Sequence, residues 1–307
     1  MPTDVELRTE SAAVNSEAVA VGKSRRRSGE APLSWSAGDP EAMLGLRGRR
    51  FTQVSSLLAL LIGLVFSAIF YGVVALAPTS LMYAMFYQRG VTPPFIVAAS
   101  FWCLAILLLK RAKLGVQRSA LSRSVVPDDA DYVISPGTAQ RVLVEVHRTV
   151  DDAKNFVLFN RIVAALSILK NLGRVSDVDE VLRGQAEQDE SAVETSYGLV
   201  RGLIWAIPTL GFIGTVLGLS EAIGGFGAVM GSAEDVSVLT ESLRGVTQGL
   251  STAFDTTLEA LVAAVFLHGF YTLLYKAELE FLDDCAEYCQ RHIVTRLRIT
   301  PFDAVEA

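Results

Sequence analysis

Carboxylates and hydroxyls occur in this sequence where an apolar helix would normally exclude them. The stretch STAFDTTLEALVAAVF, residues 251–266, opens a long apolar run and carries Asp255 and Glu259 one helical turn apart. A charged side chain near a bilayer centre costs ~2.5–3.5 kcal/mol on insertion scales, so such residues mark ion paths or buried polar contacts. Two interpretations of Glu259 stay open: a hydrogen-bonded or protonated group at a helix or subunit interface, or a position on an ion path.

A second stretch, IPTLGFIGTVLGLSEAIGGF at residues 207–226, combines bulky and very small side chains. At ~100° per residue the small ones fall on one helical stripe. That stripe contains Gly211, Gly214, Thr215 and Gly218. A stripe without bulk lets another helix approach closely. It predicts either ordinary helix–helix packing or a wall of a central space that holds another chain's helix, with Thr215 as its hydrogen-bonding group.

The helix predicted for residues 246–275 has two distinct faces. One is a second small stripe, formed by Ala253, Thr257, Ala260 and Ala264. The other is a polar stripe about a third of a turn away, formed by Thr252, Asp255, Thr256 and Glu259. The small stripes of the two antiparallel helices are therefore candidate pore-lining surfaces, and the carboxylates are candidate ion-path or interface groups.

Depth in the membrane can be estimated from the rise of ~1.5 Å per residue. Counted from the inner ends of their runs, Thr215 lies ~18 Å deep, Thr257 ~22 Å and Glu259 ~20 Å. Glu221 and Asp255 lie nearer the outer face, at ~27 and ~25 Å, where an outer-mouth or interfacial position is expected. Both threonines and one carboxylate are thus predicted at similar depth.

Four apolar runs must position these side chains. The chain of 307 residues is 51% hydrophobic and 20% charged, and its apolar residues concentrate in runs long enough to span a bilayer. They lie near residues 54–77, 91–109, 203–220 and 246–275. Lysine and arginine flank their inner ends, which places both termini and the segment between the hairpins in the cytoplasm. The prediction is an all-α integral membrane protein with four transmembrane helices and long helices extending into the cytoplasm.

The same pattern divides the chain into five parts. They are a disordered basic cytoplasmic tail at 1–50, a first transmembrane hairpin at 51–113, a cytoplasmic helical segment at 114–198, a second hairpin at 199–276, and a cytoplasmic helix and tail at 277–307. Within the cytoplasmic segment, apolar spacing predicts one amphipathic helix over 139–171. The following helix is expected to run without a break into the third apolar run.

The two stretches together resemble the MotA/TolQ/ExbB proton channel family. The resemblance rests on GFIGTVLGLSEAIGGF at 211–226, GLSTAFDTTLEALVAAV at 249–265, and ETSYGLVRGLIWAIP at 194–208 entering the membrane. The family's two pore threonines correspond to Thr215 and Thr257. The two hairpins resemble MotA more than the three-span ExbB and TolQ, and Asp255 and Glu259 are acidic where ExbB and TolQ are usually apolar or small.

The resemblance implies a pentameric channel in the bacterial inner membrane. Its members surround a dimer of a single-span partner of the MotB, TolR or ExbD type, whose aspartate binds the ion. The transported ion would be H⁺, with Na⁺ as the alternative, and no other cofactor is expected. The competing interpretation is a non-conducting membrane scaffold that uses the small stripes only to bind a single-span partner.

Enzymatic and nucleic-acid functions find no support in the sequence. It has no phosphate-binding glycine loop, no nucleophile–base set and no nucleic-acid motif. Cys285, Cys289 and His292 share one side of the C-terminal helix, but no fourth ligand is evident. Reduced cysteines on a packed cytoplasmic face are therefore expected, and no metal site is predicted.

Overall fold

Helices account for nearly all of the regular structure. The computed structural model describes residues 32–43, 50–123, 125–126, 132–172, 175–229 and 236–297. In chain order the helices are α1 Trp35–Gly38, α2 Pro40–Met43, α3 Ser56–Ala75, α4 Leu81–Tyr87, α5 Thr92–Leu121, α6 Pro136–Thr149, α7 Val157–Leu172, α8 Val175–Ser196, α9 Gly198–Val229 and α10 Val236–His292. Short 3₁₀ turns lie at Ala153–Asn155 and Val294–Arg296. An isolated β-bridge pairs Ile134 with Leu297.

Four of these helical stretches have the length and composition to cross a membrane. Among the described residues they are Ser56–Ala75, Thr92–Leu121, Asp177–Gly224 and Thr240–Arg296. Large apolar side chains on them remain exposed, including Leu57, Phe212 and Phe266. Such exposure is expected where lipid tails replace water as the surrounding solvent. The predicted fold class, an all-α membrane protein with four spans, is confirmed.

The helices of the second hairpin are long and continue beyond its apolar spans. Between α8 and α9 only Tyr197 departs from helical geometry, so α8 leads into the third apolar run almost without a break. α10 runs without interruption from Val236 to His292. Its C-terminal part, which packs against α7 and α8, buries Phe281, Cys285 and Cys289. The described residues contain no group of three or more candidate metal ligands.

The prediction of one helix over 139–171 is wrong. α6 ends at Thr149, Val150 is extended, and α7 begins at Val157. Asp152 causes the interruption, because one of its carboxylate oxygens accepts from the backbone N–H of Lys154 (3.1 Å) and the other from the side chain of Asn155 (3.0 Å). Short acidic side chains compete in this way with helical hydrogen bonds.

Part of the segment assigned to the disordered tail is packed. Trp35 is only 5% exposed and lies edge-on against Phe156, with 5.4 Å between ring centroids. Glu41 accepts a hydrogen bond from the Lys113 ammonium at 2.6 Å and another from the backbone N–H of Ser55 at 2.6 Å. For residues 34–43 the predicted disorder therefore does not hold, since a buried aromatic ring and buried ion pairs anchor them. Residues 1–31 and 44–49 lie outside the described ranges.

A buried ionic network joins the two hairpins at their inner ends. Lys110 of α5 and Glu278 of α10 lie 3.4 Å apart, and the side chain of each is 1% exposed. The Tyr197 hydroxyl donates to Glu278 at 2.7 Å, and the Lys110 ammonium lies 4.0 Å from the centre of the Tyr197 ring. Thr52, just before α3, also donates to Glu278. Because these partners come from four parts of the chain, the network fixes the relative positions of the two hairpins.

Candidate ion-path site

The small stripes of α9 and α10 lie directly against each other within one chain. A Cβ atom added to Gly211 would lie 2.5 Å from the Ala260 Cβ. One added to Gly218 would lie 2.6 Å from the Gly249 carbonyl oxygen and 2.8 Å from the Ala253 nitrogen. The helices approach this closely because neither carries a bulky side chain at the contact.

Within one chain this contact matches the helix–helix packing interpretation of the small stripes. Gly211, Gly214, Gly218, Ala253 and Ala260 are buried between α9 and α10, where they pack against each other. Their pore-lining role stays a prediction. A helix surface made of small residues can pack against another helix of the same chain or line a pore. Only the position of the neighbouring helices distinguishes these two uses. Ala264 is also buried, and its pore-lining role stays a prediction.

The two threonines meet at the edge of this contact. The hydroxyls of Thr215 and Thr257 are hydrogen-bonded to each other. The Thr215 hydroxyl also lies 3.3 Å from the Ala253 carbonyl oxygen, and the Thr257 hydroxyl lies 3.2 Å from that of Gly211. Both side chains are half-buried, which leaves part of each accessible from outside the helix pair. The structure thus brings together the two groups predicted at similar depth, while their role in a pore stays a prediction.

The polar stripe of α10 splits into two environments. Thr256 is fully buried and packs beneath Gly214, where an added Cβ would lie 2.5 Å from its hydroxyl oxygen. Its hydroxyl donates to the Thr252 carbonyl oxygen at 2.9 Å, a bond within its own helix. Asp255 and Glu259 point away from α9 and towards the first hairpin. Thr256 is therefore a packing residue, whereas the carboxylates belong to a separate cluster.

Asp255 forms an ion pair with the first hairpin. Its carboxylate lies 2.7 Å from the guanidinium of Arg89, which precedes α5 in the loop predicted to face outside. Ser251 donates to the same carboxylate at 3.3 Å. Asp255 is therefore tied to the first hairpin, and its expected outer-mouth or interfacial position stays a prediction. Sequence reasoning did not assign Arg89 to the site, although it is the single basic residue between the first two apolar runs, at 78–90.

Glu259 lies one turn further into the membrane and is only 8% exposed. Neither of its carboxylate oxygens has a hydrogen-bond partner among the described residues, and the same is true of the Tyr71 hydroxyl on α3. Glu259 interacts electrostatically with Tyr71, Arg89 and Asp255. The Tyr87 hydroxyl of α4 donates to the Tyr71 carbonyl oxygen at 2.9 Å.

Glu221 is not part of either cluster. It lies exposed on α9 and has no ion pair or hydrogen bond within the described residues. The three candidate carboxylates therefore lie in different environments. Asp255 is ion-paired, Glu259 is buried, and Glu221 faces solvent or lipid.

The fold and the site together define a multi-span helical membrane protein with a threonine pair held between two closely packed helices. Residues 157–284 match the model of the MotA/TolQ/ExbB proton channel family. The matched range begins at α7 and includes the threonine pair, both small stripes and the acidic cluster's α10 residues. The family resemblance predicted from the two apolar stretches is thereby confirmed. Comparison with curated proteins and with solved structures gave no significant match.

Proposed function

We propose that this chain is the channel-forming subunit of an ion-driven complex in the bacterial inner membrane, with H⁺ as the transported ion. Five copies would surround a dimer of a single-span partner and energise it. The observation that carries the proposal is the pair of half-buried hydroxyls, Thr215 and Thr257, held at one level within the segment that matches a proton channel family.

The geometry of the hydroxyl pair suits the passage of a partner carboxylate that carries an ion. Each hydroxyl can donate to a carboxylate that approaches from outside the helix pair, and a charge-assisted hydrogen bond is strong where water is scarce. While no such acceptor is present, the hydroxyls bond to each other and to the carbonyl oxygens of Gly211 and Ala253. A partner carboxylate that takes up an ion on the outer side could therefore pass this level and release the ion inside, with stepwise rotation.

The inner network supplies the rigidity that such a step needs. The ion pair of Lys110 and Glu278 holds α5 and α10 together where α8 meets α9. Force produced at the threonine level would thus be resisted by both hairpins together. In this respect the chain acts as the stationary wall against which a partner moves.

A flux assay tests the proposal. Cells would express the chain with its neighbouring genes, and proton flux would be followed in inverted membrane vesicles with a pH-sensitive dye. Thr215→Ala combined with Thr257→Ala is expected to abolish most of the flux and the output of the complex. Thr209→Ala is the matched control, because that hydroxyl donates to the Trp205 carbonyl oxygen within α9 (3.0 Å). Unchanged flux in the double variant would refute the assignment of Thr215 and Thr257 to the ion path.

The scaffold alternative makes the opposite prediction. A non-conducting scaffold would retain the single-span partner on purification and yet show no flux even with the unaltered chain. Native mass spectrometry of the purified complex would count the copies of each component. Five copies of this chain around two of the partner support the channel, and a complex of another stoichiometry contradicts that part of the proposal.

A further inference from the structure

We propose that Glu259 is a proton-binding group that this chain supplies itself, in a pocket between α10 and the first hairpin. The pocket lies on a different face of α10 from Thr257 and requires no partner protein. It therefore adds a second site to the proposed function without depending on it. The ligand class is a proton, exchanged with the outer side of the membrane.

Burial without a partner is the first observation. Glu259 is more than nine-tenths buried, and neither carboxylate oxygen has a hydrogen-bond partner among the residues that the structure describes. An ionised carboxylate in such a place would lack both a compensating cation and a hydrogen-bond donor, which is strongly unfavourable. A bound proton removes the charge and turns one oxygen into a donor.

The groups around Glu259 leave it without a dedicated cation. Arg89 is already paired with Asp255 at 2.7 Å, one turn outward. Tyr71 on α3 and Tyr87 on α4 are phenols, which are uncharged at neutral pH. The α5 lysines lie at the cytoplasmic end of that helix, where Lys110 pairs with Glu278 and Lys113 with Glu41. On α9, Glu221 is exposed and outside the pocket.

A metal ion is a poorer ligand for this pocket than a proton. A cation would need several oxygen or nitrogen ligands around it. No group of three or more histidine, cysteine, aspartate or glutamate side chains in the described ranges could hold a metal ion. The single unpartnered carboxyl group and the neighbouring Tyr71 hydroxyl match the requirements of a proton site instead.

The arrangement also provides a route for exchange. Asp255 is a quarter exposed at its side chain and lies between Glu259 and the outer side. If Arg89 moves from Asp255 to Glu259, the Glu259 proton passes to Asp255, directly or through one water. During this transfer one proton and one guanidinium are shared between two carboxyl groups, so the net charge of the three side chains stays zero. Release of the Asp255 proton to water outside leaves the three side chains with one negative charge, and uptake of a proton by Asp255 from outside restores neutrality. The proton then passes back to Glu259 as Arg89 returns to Asp255.

The test uses the full chain, purified and placed in lipid nanodiscs. Infrared spectroscopy would detect the carbonyl band of a protonated carboxylic acid at neutral pH. Glu259→Gln is expected to remove this band, while Thr215→Ala is expected to retain it. Disappearance of the band in the Thr215→Ala variant, or its complete absence from the unaltered chain, would overturn the assignment.

Carbodiimide labelling gives an independent readout, because dicyclohexylcarbodiimide reacts with protonated carboxyl groups in apolar surroundings. In the unaltered chain, mass spectrometry should find the label mainly on Glu259, because the Asp255 carboxylate is paired with the Arg89 guanidinium at 2.7 Å. Arg89→Gln should make Asp255 react as well, since its charge partner is lost. Label on Asp255 alone in the unaltered chain would contradict the proposal.

The two proposals fail separately. Loss of flux in the Thr215 and Thr257 double variant with an intact Glu259 band supports both. A missing band with normal threonine-dependent flux refutes only the proton site.

Discussion

The close contact between α9 and α10 makes a sharp prediction for Gly218. In Gly218→Ala the new Cβ would lie 2.6 Å from the Gly249 carbonyl oxygen and 2.8 Å from the Ala253 nitrogen. Ordinary contact needs roughly 3.5 Å, so the helices must separate by up to about 1 Å. Both clashing atoms belong to the backbone, and no side-chain rotation can relieve them.

The size of the effect follows from two opposed terms. Overpacking a tight site costs about 1–3 kcal/mol, and a clash with backbone on both sides lies near the upper end. Replacing a helical glycine by alanine returns ~1 kcal/mol of helix propensity. The expected net loss is therefore ~2 kcal/mol, which for a chain of this size lowers the unfolding midpoint by roughly 5 °C.

Thermal unfolding of the purified protein in a single detergent would measure this loss. The matched control is Gly269→Ala in α10, where nothing lies within 4 Å of an added Cβ; its midpoint should stay the same or rise. Gly249→Ala should resemble Gly218→Ala, because its Cβ would meet the Gly218 carbonyl oxygen at 2.6 Å. The double variant should lose less than the sum, since both changes force the same separation. Equal stability of Gly218→Ala and Gly269→Ala would refute the packing described for α9 and α10.

Two further predictions concern polar interactions away from the contact between α9 and α10. Partial burial by itself would raise the pKa of Asp151, but hydrogen bonds from the Trp35 N–H and the Ser34 hydroxyl outweigh it and hold the pKa below its ordinary value. Because docking lowers the pKa of Asp151, the ionised carboxylate stabilises the docked segment at residues 34–43. This stabilisation is present above the ordinary aspartate pKa and is lost as the carboxylate becomes protonated, so docking should weaken as pH falls below about 4. Hydrogen exchange of residues 34–43 should show this, and Asp151→Asn should raise exchange already at neutral pH. Lys110→Met should destabilise the protein by about 3–5 kcal/mol because Glu278 is left unpaired, and adding Glu278→Gln should restore much of it, as a double-mutant unfolding cycle would show.

The sequence was sufficient for the features that depend on composition and helical period. Apolar runs of bilayer length predicted the four spans, because only helices satisfy their own backbone in lipid. The rise per residue placed Thr215 and Thr257 at similar depth, and their hydroxyls are in contact. Both predictions depend only on the rise per residue along a helix and on the antiparallel direction of neighbouring helices. The order of the apolar runs along the chain determines both.

Which helix faces which could not be predicted in the same way. Gly211 and Ala260 have the same small side chains whether they line a pore or pack together, and the structure places them in contact. Arg89 and Asp255 are 166 positions apart in the sequence, and only the packing of α10 against the first hairpin brings them to 2.7 Å. Trp35 lies in a polar stretch without apolar period, so its anchoring against Phe156 has no local signal.

The most direct test of the central claim is proton flux through the purified complex. The chain and its co-purified partner would be reconstituted into liposomes, and an imposed pH gradient would be followed with an internal dye. The account predicts flux above that of protein-free liposomes, and its loss in the Thr215→Ala and Thr257→Ala double variant. An intact complex that dissipates the gradient no faster than empty liposomes would contradict the account and favour a non-conducting scaffold.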